Sequence, residues 1–141
     1  MSDIFTAKIK YLKQLENGSI ASKSEVYTLN ALSFTEAEAR LTGVLSEYIP
    51  EFNLLSLSKL NVQDVVIDEA KTAFYKVKVS FISADPDSGK EKKINEFYLV
   101  QSDSTEEAHE KIKVRMEGSI MDYEIPSVSK TNVVDFFPYV D

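Results

Sequence analysis

Apolar and polar residues alternate in two stretches of the chain, and a period of two predicts strands with one buried face. The apolar positions are Phe5, Ala7, Ile9 and Tyr11 in the first stretch and Tyr75, Val77, Val79 and Phe81 in the second. Turn-forming residues follow, at Glu16-Asn17-Gly18 and at residues 85–90, and a returning strand comes after each turn. Each stretch therefore predicts a β-hairpin.

A helix is predicted after each hairpin. Ser33 with Glu36, and Ser104 with Glu107, have the spacing of a capping box, which marks a helix start. Apolar residues then recur at three- and four-residue intervals and form one stripe per helix: Phe34, Ala37, Leu41, Val44, Leu45 and Tyr48, and Ala108, Ile112, Met116 and Ile120. We expect each stripe to cover a sheet.

A third strand is predicted after each helix, at residues 54–60 and 123–130. The next apolar stretches, 62–67 and 132–139, are either a further short strand or, in the first copy, the same strand after a bulge at Asn61. The pattern leaves both alternatives open.

The two halves are copies of each other. Ser-Leu-Ser-Lys-Leu-Asn-Val-Gln-Asp at 56–64 recurs 71 positions later as Ser-Val-Ser-Lys-Thr-Asn-Val-Val-Asp, and thirteen identical pairs share this offset. The first strands align at an offset of about 68, which places three extra residues in the second hairpin loop. The predicted fold class is α+β, a tandem duplication of a strand-strand-helix-strand(-strand) unit with antiparallel sheets, two helices and a pseudo-twofold axis.

One domain is expected over residues 1–141, built from repeat one at 4–67 and repeat two at 73–139, with residues 68–72 as linker. One helix cannot cover a sheet on both faces, so the two repeats are expected to pack together. The chain has no cysteine, no long apolar run at its start and no stretch long enough to span a membrane. We therefore expect a cytoplasmic protein without a membrane partner.

Charge is unevenly distributed along this acidic chain, whose net charge is −7. The hairpin segments 4–29 and 71–101 hold ten Lys against six Asp and Glu, and the remainder is strongly acidic. Lysine on solvated strands and glutamate on helices explain the segregation without a ligand. A basic binding surface is the alternative explanation.

Enzymatic chemistry is not indicated. The single histidine, His109, lacks a nucleophile or metal partner, and the four glycines never form a phosphate-binding loop. Ser and Lys of the repeated motif could form a catalytic dyad, but their alternation with apolar residues favours a plain strand. We expect no enzyme activity, no cofactor and no metal.

Binding of single-stranded nucleic acid is the leading hypothesis, because outward lysines beside aromatic rings can hold phosphates while bases stack. The candidate residues are Lys8, Lys10, Lys76, Lys78, Lys90, Lys92, Lys93, Tyr27 and Tyr98. Tyrosines that alternate inward would instead belong to the core.

A protein-interaction module is the alternative, for example an inhibitor or scaffold that acts through acidic helices and the aromatic C-terminal segment. Its candidate residues are Glu36, Glu38, Glu106, Glu107, Glu110, Phe136, Phe137 and Tyr139. That C-terminal segment aligns with 64–66, so a strand is equally expected there. Homo-oligomerisation is left open.

Four segments, 15–18, 31–40, 97–100 and 122–125, resemble an uncharacterised family of short proteins from Bacteroidetes and their bacteriophages, known as a domain of unknown function. The resemblance covers nearly the whole chain and implies a phage or mobile-element setting, but no catalytic residues. The duplicated plan also resembles the Pur and Whirly folds, which bind single strands on a sheet face. That likeness is one of architecture, and architecture does not fix function.

Overall fold

A computed structural model describes residues 2–139, which form eight strands and two helices. The strands are β1 (Asp3–Gln14), β2 (Ile20–Ala31), β3 (Asn53–Lys59), β4 (Asp64–Val66), β5 (Ala73–Ala84), β6 (Glu91–Ser102), β7 (Asp122–Lys130) and β8 (Val133–Phe137). The helices are α1 (Phe34–Leu45) and α2 (Thr105–Arg115). Two four-stranded sheets, each rich in antiparallel pairs, confirm the predicted α+β class.

Unit 1 contains the chain up to Leu60 and the segment from Asn132 onward. Its sheet has the order β3-β1-β2-β8, and α1 covers one face. Phe5, Ala7 and Ile9 are buried and pack in one cluster with helix residues including Leu41. The alternation therefore places the intervening lysines on the other side of the sheet, which we call the outer face.

Unit 2 spans Asn61–Thr131 and repeats this plan with the order β4-β6-β5-β7 and helix α2. Tyr75, Val77 and Val79 are buried in one cluster with Ile112 of the helix. In both units a serine caps the helix. The hydroxyl oxygens of Ser33 and Ser104 accept hydrogen bonds of 3.1 Å from the backbone amides of Glu36 and Glu107, respectively. The predicted helix starts are confirmed.

The two repeats exchange their last strands. β4 lies in the first repeat by sequence but pairs with β6 in unit 2, and β8 lies in the second repeat but pairs with β2 in unit 1. The registers are equivalent, since Asp64 is opposite Tyr98 and Asp135 is opposite Tyr27. The unit boundaries therefore differ from the repeats 4–67 and 73–139, and β3 and β4 are two separate strands.

The short connection between β3 and β4 explains the exchange. In unit 1 the β8 position lies three strands away from β3 and runs in the same direction. To reach that position, the chain leaving β3 would have to run back to the opposite end of the sheet, about 20 Å away, and also cross over β1 and β2. The four residues between Lys59 and Asp64 reach at most about 14 Å, so β4 cannot join its own repeat's sheet.

Strand register corrects the alignment of the two hairpins. Ala7 is opposite Tyr27, and Val77 is opposite Tyr98. The first strands therefore correspond at an offset of 70, not 68, and the second loop is longer by one residue. Lys8 therefore corresponds to Lys78 rather than to Lys76. The two offsets differ by two residues, which is one strand period, so the face predicted for these lysines is unchanged.

The helix stripes are shorter than predicted. Ala37, Leu41 and Leu45 are buried, as are Ala108, Ile112 and Met116. The outer members Phe34, Tyr48 and Ile120 are exposed. Tyr48 and Ile120 lie beyond the ends of α1 and α2, where the helical period no longer directs a side chain to the sheet.

Candidate nucleic-acid interface

Lys8 and Lys10 are exposed on the outer face of the sheet in unit 1. Three of their four cross-strand partners are small polar residues: Lys8 is opposite Ser56, and Lys10 is opposite both Ser24 and Asn53. The other partner of Lys8 is half-buried Val26. We call this surface the Lys-Ser face and define it by seven exposed residues: Lys8, Lys10, Ser22, Ser24, Asn53, Ser56 and Ser58. Ammonium and hydroxyl donors together are suited to phosphate oxygens.

Strand register places the repeated Ser-x-Ser-Lys motif beside a lysine-bearing strand in each sheet. Ser56 and Ser58 of the first copy lie beside β1, and Ser127 of the second copy is opposite Lys78 on β5. As predicted, the motif lies in strands, at residues 56–59 of β3 and 127–130 of β7. The amino-acid pattern alone does not show that this side meets the lysine-bearing strand, because the two segments lie about fifty residues apart.

Carboxylates are absent from the strand positions of this outer face. The acidic residues in the strands of unit 1 are Asp3, Glu25 and Asp135, and they lie opposite the helix-side residues Ala31, Ile9 and Tyr27. Among residues 2–139 neither Lys8 nor Lys10 takes part in a salt bridge. Their charges are therefore available to an anion.

Glu51 limits the Lys-Ser face on one side. It lines a pocket of about 380 Å³ with Lys10, Tyr11, Leu12, Phe52 and Asn53. The carboxylate is exposed and forms no salt bridge with Lys10 in the described part of the chain. Because the carboxylate is exposed, solvent and salt weaken its effect on the lysine.

The outer face of unit 2 is less basic. Lys76 and Lys78 are half-buried, and the Lys76 ammonium lies 4.6 Å from the centre of the Phe97 ring. Lys93 forms a 2.8 Å salt bridge with Glu124. The hydrogen bond to this carboxylate raises the pKa of Lys93, so the pair is locally neutral.

The other two lysines of the second hairpin lie elsewhere. Lys92 is opposite Ser83, one position from Lys93, and therefore lies on the helix side of the sheet. Lys90 is exposed in the loop between β5 and β6. The candidate lysines are thus distributed over a face in each unit, the helix side of one hairpin and a loop.

Tyr27 and Tyr98 are corrected as candidate stacking residues. They are only 7% and 6% exposed and belong to the two cores. The ring of Tyr27 stacks on Phe137 with 5.5 Å between centroids, and burial, with a smaller contribution from Glu25, raises its pKa to about 12. Because strand alternation directs both rings inward, neither is available to a base.

The acidic surface of the alternative hypothesis is partly used inside the protein. Glu36 accepts hydrogen bonds from the Leu32 amide and the Tyr139 hydroxyl, and Glu107 contacts Lys111 at 3.0 Å and Lys71 at 3.4 Å. Glu38, Glu106 and Glu110 remain exposed.

The aromatic segment of that hypothesis is a strand. Phe136 is buried and Phe137 is half-buried in β8, whereas Tyr139 is 41% exposed with Arg40 over its ring at 4.4 Å. The end of the proposed tail, residues 140–141, lies outside the described residues. Phe136 and Phe137 are therefore not free for a partner.

These features define a class of protein: a duplicated α+β chain of two helix-covered sheets, with an exposed surface of lysine and serine on one of them. The chain belongs to a family described as a domain of unknown function, DUF4494, whose model matches residues 3–139. Comparisons with curated proteins and with solved structures gave no match. Within residues 2–139 no helix has the length and apolar character needed to cross a membrane.

Proposed function

We propose that this protein is a non-enzymatic binding protein that holds single-stranded nucleic acid on the Lys-Ser face, chiefly through its phosphates. The observation that carries the proposal is a pair of exposed lysines that form no salt bridge within residues 2–139 and lie among hydroxyl groups on a face whose described strand positions hold no carboxylate. Successive outward lysines on β1 are about 6.7 Å apart along the strand, and one nucleotide of an extended backbone can span that distance.

Burial of the tyrosines changes the form of the original hypothesis. With Tyr27 and Tyr98 in the cores, aromatic stacking does not contribute, and electrostatic contacts to phosphate become the main source of affinity. The net charge of −7 opposes contact with any other side of the molecule and limits non-specific binding to duplex. A cytoplasmic, phage or mobile-element setting, no cofactor and no membrane partner remain parts of this proposal.

Titration of a fluorescent single strand by polarisation tests the proposal. We expect binding at low salt, weaker binding to duplex of the same sequence, and a logarithmic salt slope of about −0.7 for each phosphate contacted. Absence of any binding to single strands at low salt would disprove it. A pull-down from native cells with and without nuclease then distinguishes a nucleic-acid partner from a protein one.

A protein partner on the exposed carboxylates of one helix, Glu38 of α1 or Glu106 and Glu110 of α2, is the second candidate. It is favoured by the outward position of these carboxylates, of which only Glu110 has a salt bridge within residues 2–139, at 3.5 Å from Lys113. A nuclease-resistant partner whose capture is lost after Glu38→Lys and Glu106→Lys would support this function instead.

A further inference from the structure

The tip of the first hairpin carries exposed apolar side chains. Leu12 is 72% exposed, Ile20 is 70% exposed, and Leu15 in the turn is 39% exposed. Leu12 is opposite Ser22, and Gln14 is opposite Ile20, so Leu12 and Ile20 are diagonal neighbours on the outer face. This is the face of Lys8 and Lys10, and Leu12 follows Lys10 by one pleat, about 6.7 Å.

The turn holds this tip in one conformation. The Leu15 amide donates to the Ser19 carbonyl at 2.7 Å, and the Gly18 amide donates to Leu15 at 2.9 Å. Asn17 accepts hydrogen bonds from both the amide and the hydroxyl of Ser19. Gly18 has a φ of +86°, which favours glycine there. The apolar side chains are therefore presented by an ordered hairpin, which lowers the entropy lost on binding.

The second hairpin shows that the fold does not require an apolar tip. By the corrected alignment Leu12 corresponds to half-buried Ile82, while Leu15 and Ile20 correspond to Asp85 and Glu91. The same hairpin thus exists in this chain with charged residues at two of the three tip positions. Exposed leucine and isoleucine are unfavourable in water, and folding does not explain them here.

We infer that Leu12 and Ile20 contact the bases of the single strand whose phosphates lie on Lys8 and Lys10. This inference rests on the proposed function. A nucleotide joins an anionic phosphate to a flat base with apolar faces, and the outer face likewise places the Lys10 ammonium next to the apolar side chain of Leu12 along one strand. Two side chains are far below the roughly 800 Å² per partner of a stable protein interface, so a second copy of the chain fits this patch less well.

Two probes of equal length separate the base contact from the phosphate contact: an oligothymidylate and an abasic strand with the same backbone. The wild-type protein should bind the oligothymidylate about tenfold more tightly than the abasic strand. Leu12→Ser with Ile20→Ser should remove this difference and leave the salt slope unchanged, because all phosphate contacts remain. Ile94→Ser is the matched control, since Ile94 is 46% exposed on the second hairpin and lies opposite Phe81 on the helix side.

The outcomes distinguish this inference from the proposed function. If the wild-type protein binds neither probe, the proposed function is wrong. If it binds both probes equally, or if the double variant retains the preference for bases, the proposed function stands and the base contact is wrong. If the double variant instead abolishes self-association or binding to anionic vesicles, the tip serves a second copy or a lipid surface, and the inference is overturned. Should the serine variants unfold, Leu12→Thr with Ile20→Thr keeps strand propensity and tests the same point.

Discussion

The outer faces of the two sheets share one pattern but differ in chemistry. Lys8 and Lys78 are equivalent, and each lies opposite the first serine of the repeated motif. The residues around these two lysines differ between the units: Asn53 corresponds to Glu124, and Ser22 corresponds to Lys93. In unit 2 the two new charges pair at 2.8 Å, whereas in unit 1 both positions are neutral. Duplication therefore preserved where side chains point, and a few substitutions decided which face remains open to an anion.

The largest expected effect tests whether the cores remained alike while the faces diverged. Leu41 and Ile112 occupy equivalent helix positions and are both fully buried. Leu41→Ala and Ile112→Ala should each lower the free energy of unfolding by about 2 to 5 kcal/mol. Urea unfolding measures both losses, and Val114→Ala, at an exposed position of α2, is the control. A loss below about 0.5 kcal/mol for either core variant would place that helix outside the core.

The next effect tests the difference between the faces. Lys8→Glu with Lys10→Glu should weaken single-strand binding by at least about tenfold and make the salt slope shallower by about 1.4, because two phosphate contacts are lost. Lys76→Glu with Lys78→Glu should cost less, since these lysines are half-buried and their face already carries carboxylates. Polarisation titrations at several salt concentrations give both quantities. Equal losses for the two pairs would mean that both faces bind.

Lys113→Glu is the control for these charge reversals. It changes charge by the same amount per residue on an exposed helix position outside the Lys-Ser face. Thermal midpoints should stay near that of the wild-type protein for Lys8→Glu with Lys10→Glu and for Lys113→Glu, because exposed charges contribute little to folding.

The smallest effect concerns how each unit holds its exchanged strand. In unit 2, Lys111 donates to the Gln101 carbonyl at 2.7 Å and pairs with Asp68 and Glu107. In unit 1 the equivalent Arg40 donates to the carbonyls of Asn30 and Pro138, so the strand end is held without a carboxylate. Burial disfavours the Lys111 charge, but the hydrogen bonds to the two carboxylates outweigh it and raise its pKa.

Acid should therefore weaken the cluster of unit 2. The hydrogen bond from Lys111 lowers the pKa of Glu107, and it also lowers that of Asp68. A carboxylate with a lowered pKa stabilises the fold above its unfolded pKa, near pH 4, and loses that contribution as pH falls through the folded value. Glu107→Gln should lower the thermal midpoint at pH 7, and this loss should become smaller as pH falls below about 4. A difference that stays constant with pH would show that the charge of Glu107 does not contribute.

Local pattern predicted much of the fold because its determinants are local. The alternation around Phe5 and Tyr75 identified the hairpins, and Ser33 and Ser104 identified the helix starts. The same alternation placed Lys8 and Lys10 on an exposed face. The helical period failed at Tyr48 and Ile120, because the helices end before these residues. The candidate site also included Tyr27 and Tyr98, whose strand positions direct their side chains into the cores.

The sequence by itself determined the duplication, which is visible as a repeat at an offset of 71 residues. It also determined the type of each element and the side of the sheet on which each strand lysine lies, because periods of two and 3.6 residues depend only on near neighbours. Only the tertiary structure decided which sheet receives β4 and β8 and which serines lie beside Lys8. Those choices depend on partners that are distant in sequence. β8 pairs with β2 at Tyr27 in the same register in which β4 pairs with β6 at Tyr98, so the local sequence does not distinguish the two sheets. The reach of residues 60–63 decided the exchange, since so short a connection cannot return to the far edge of its own sheet.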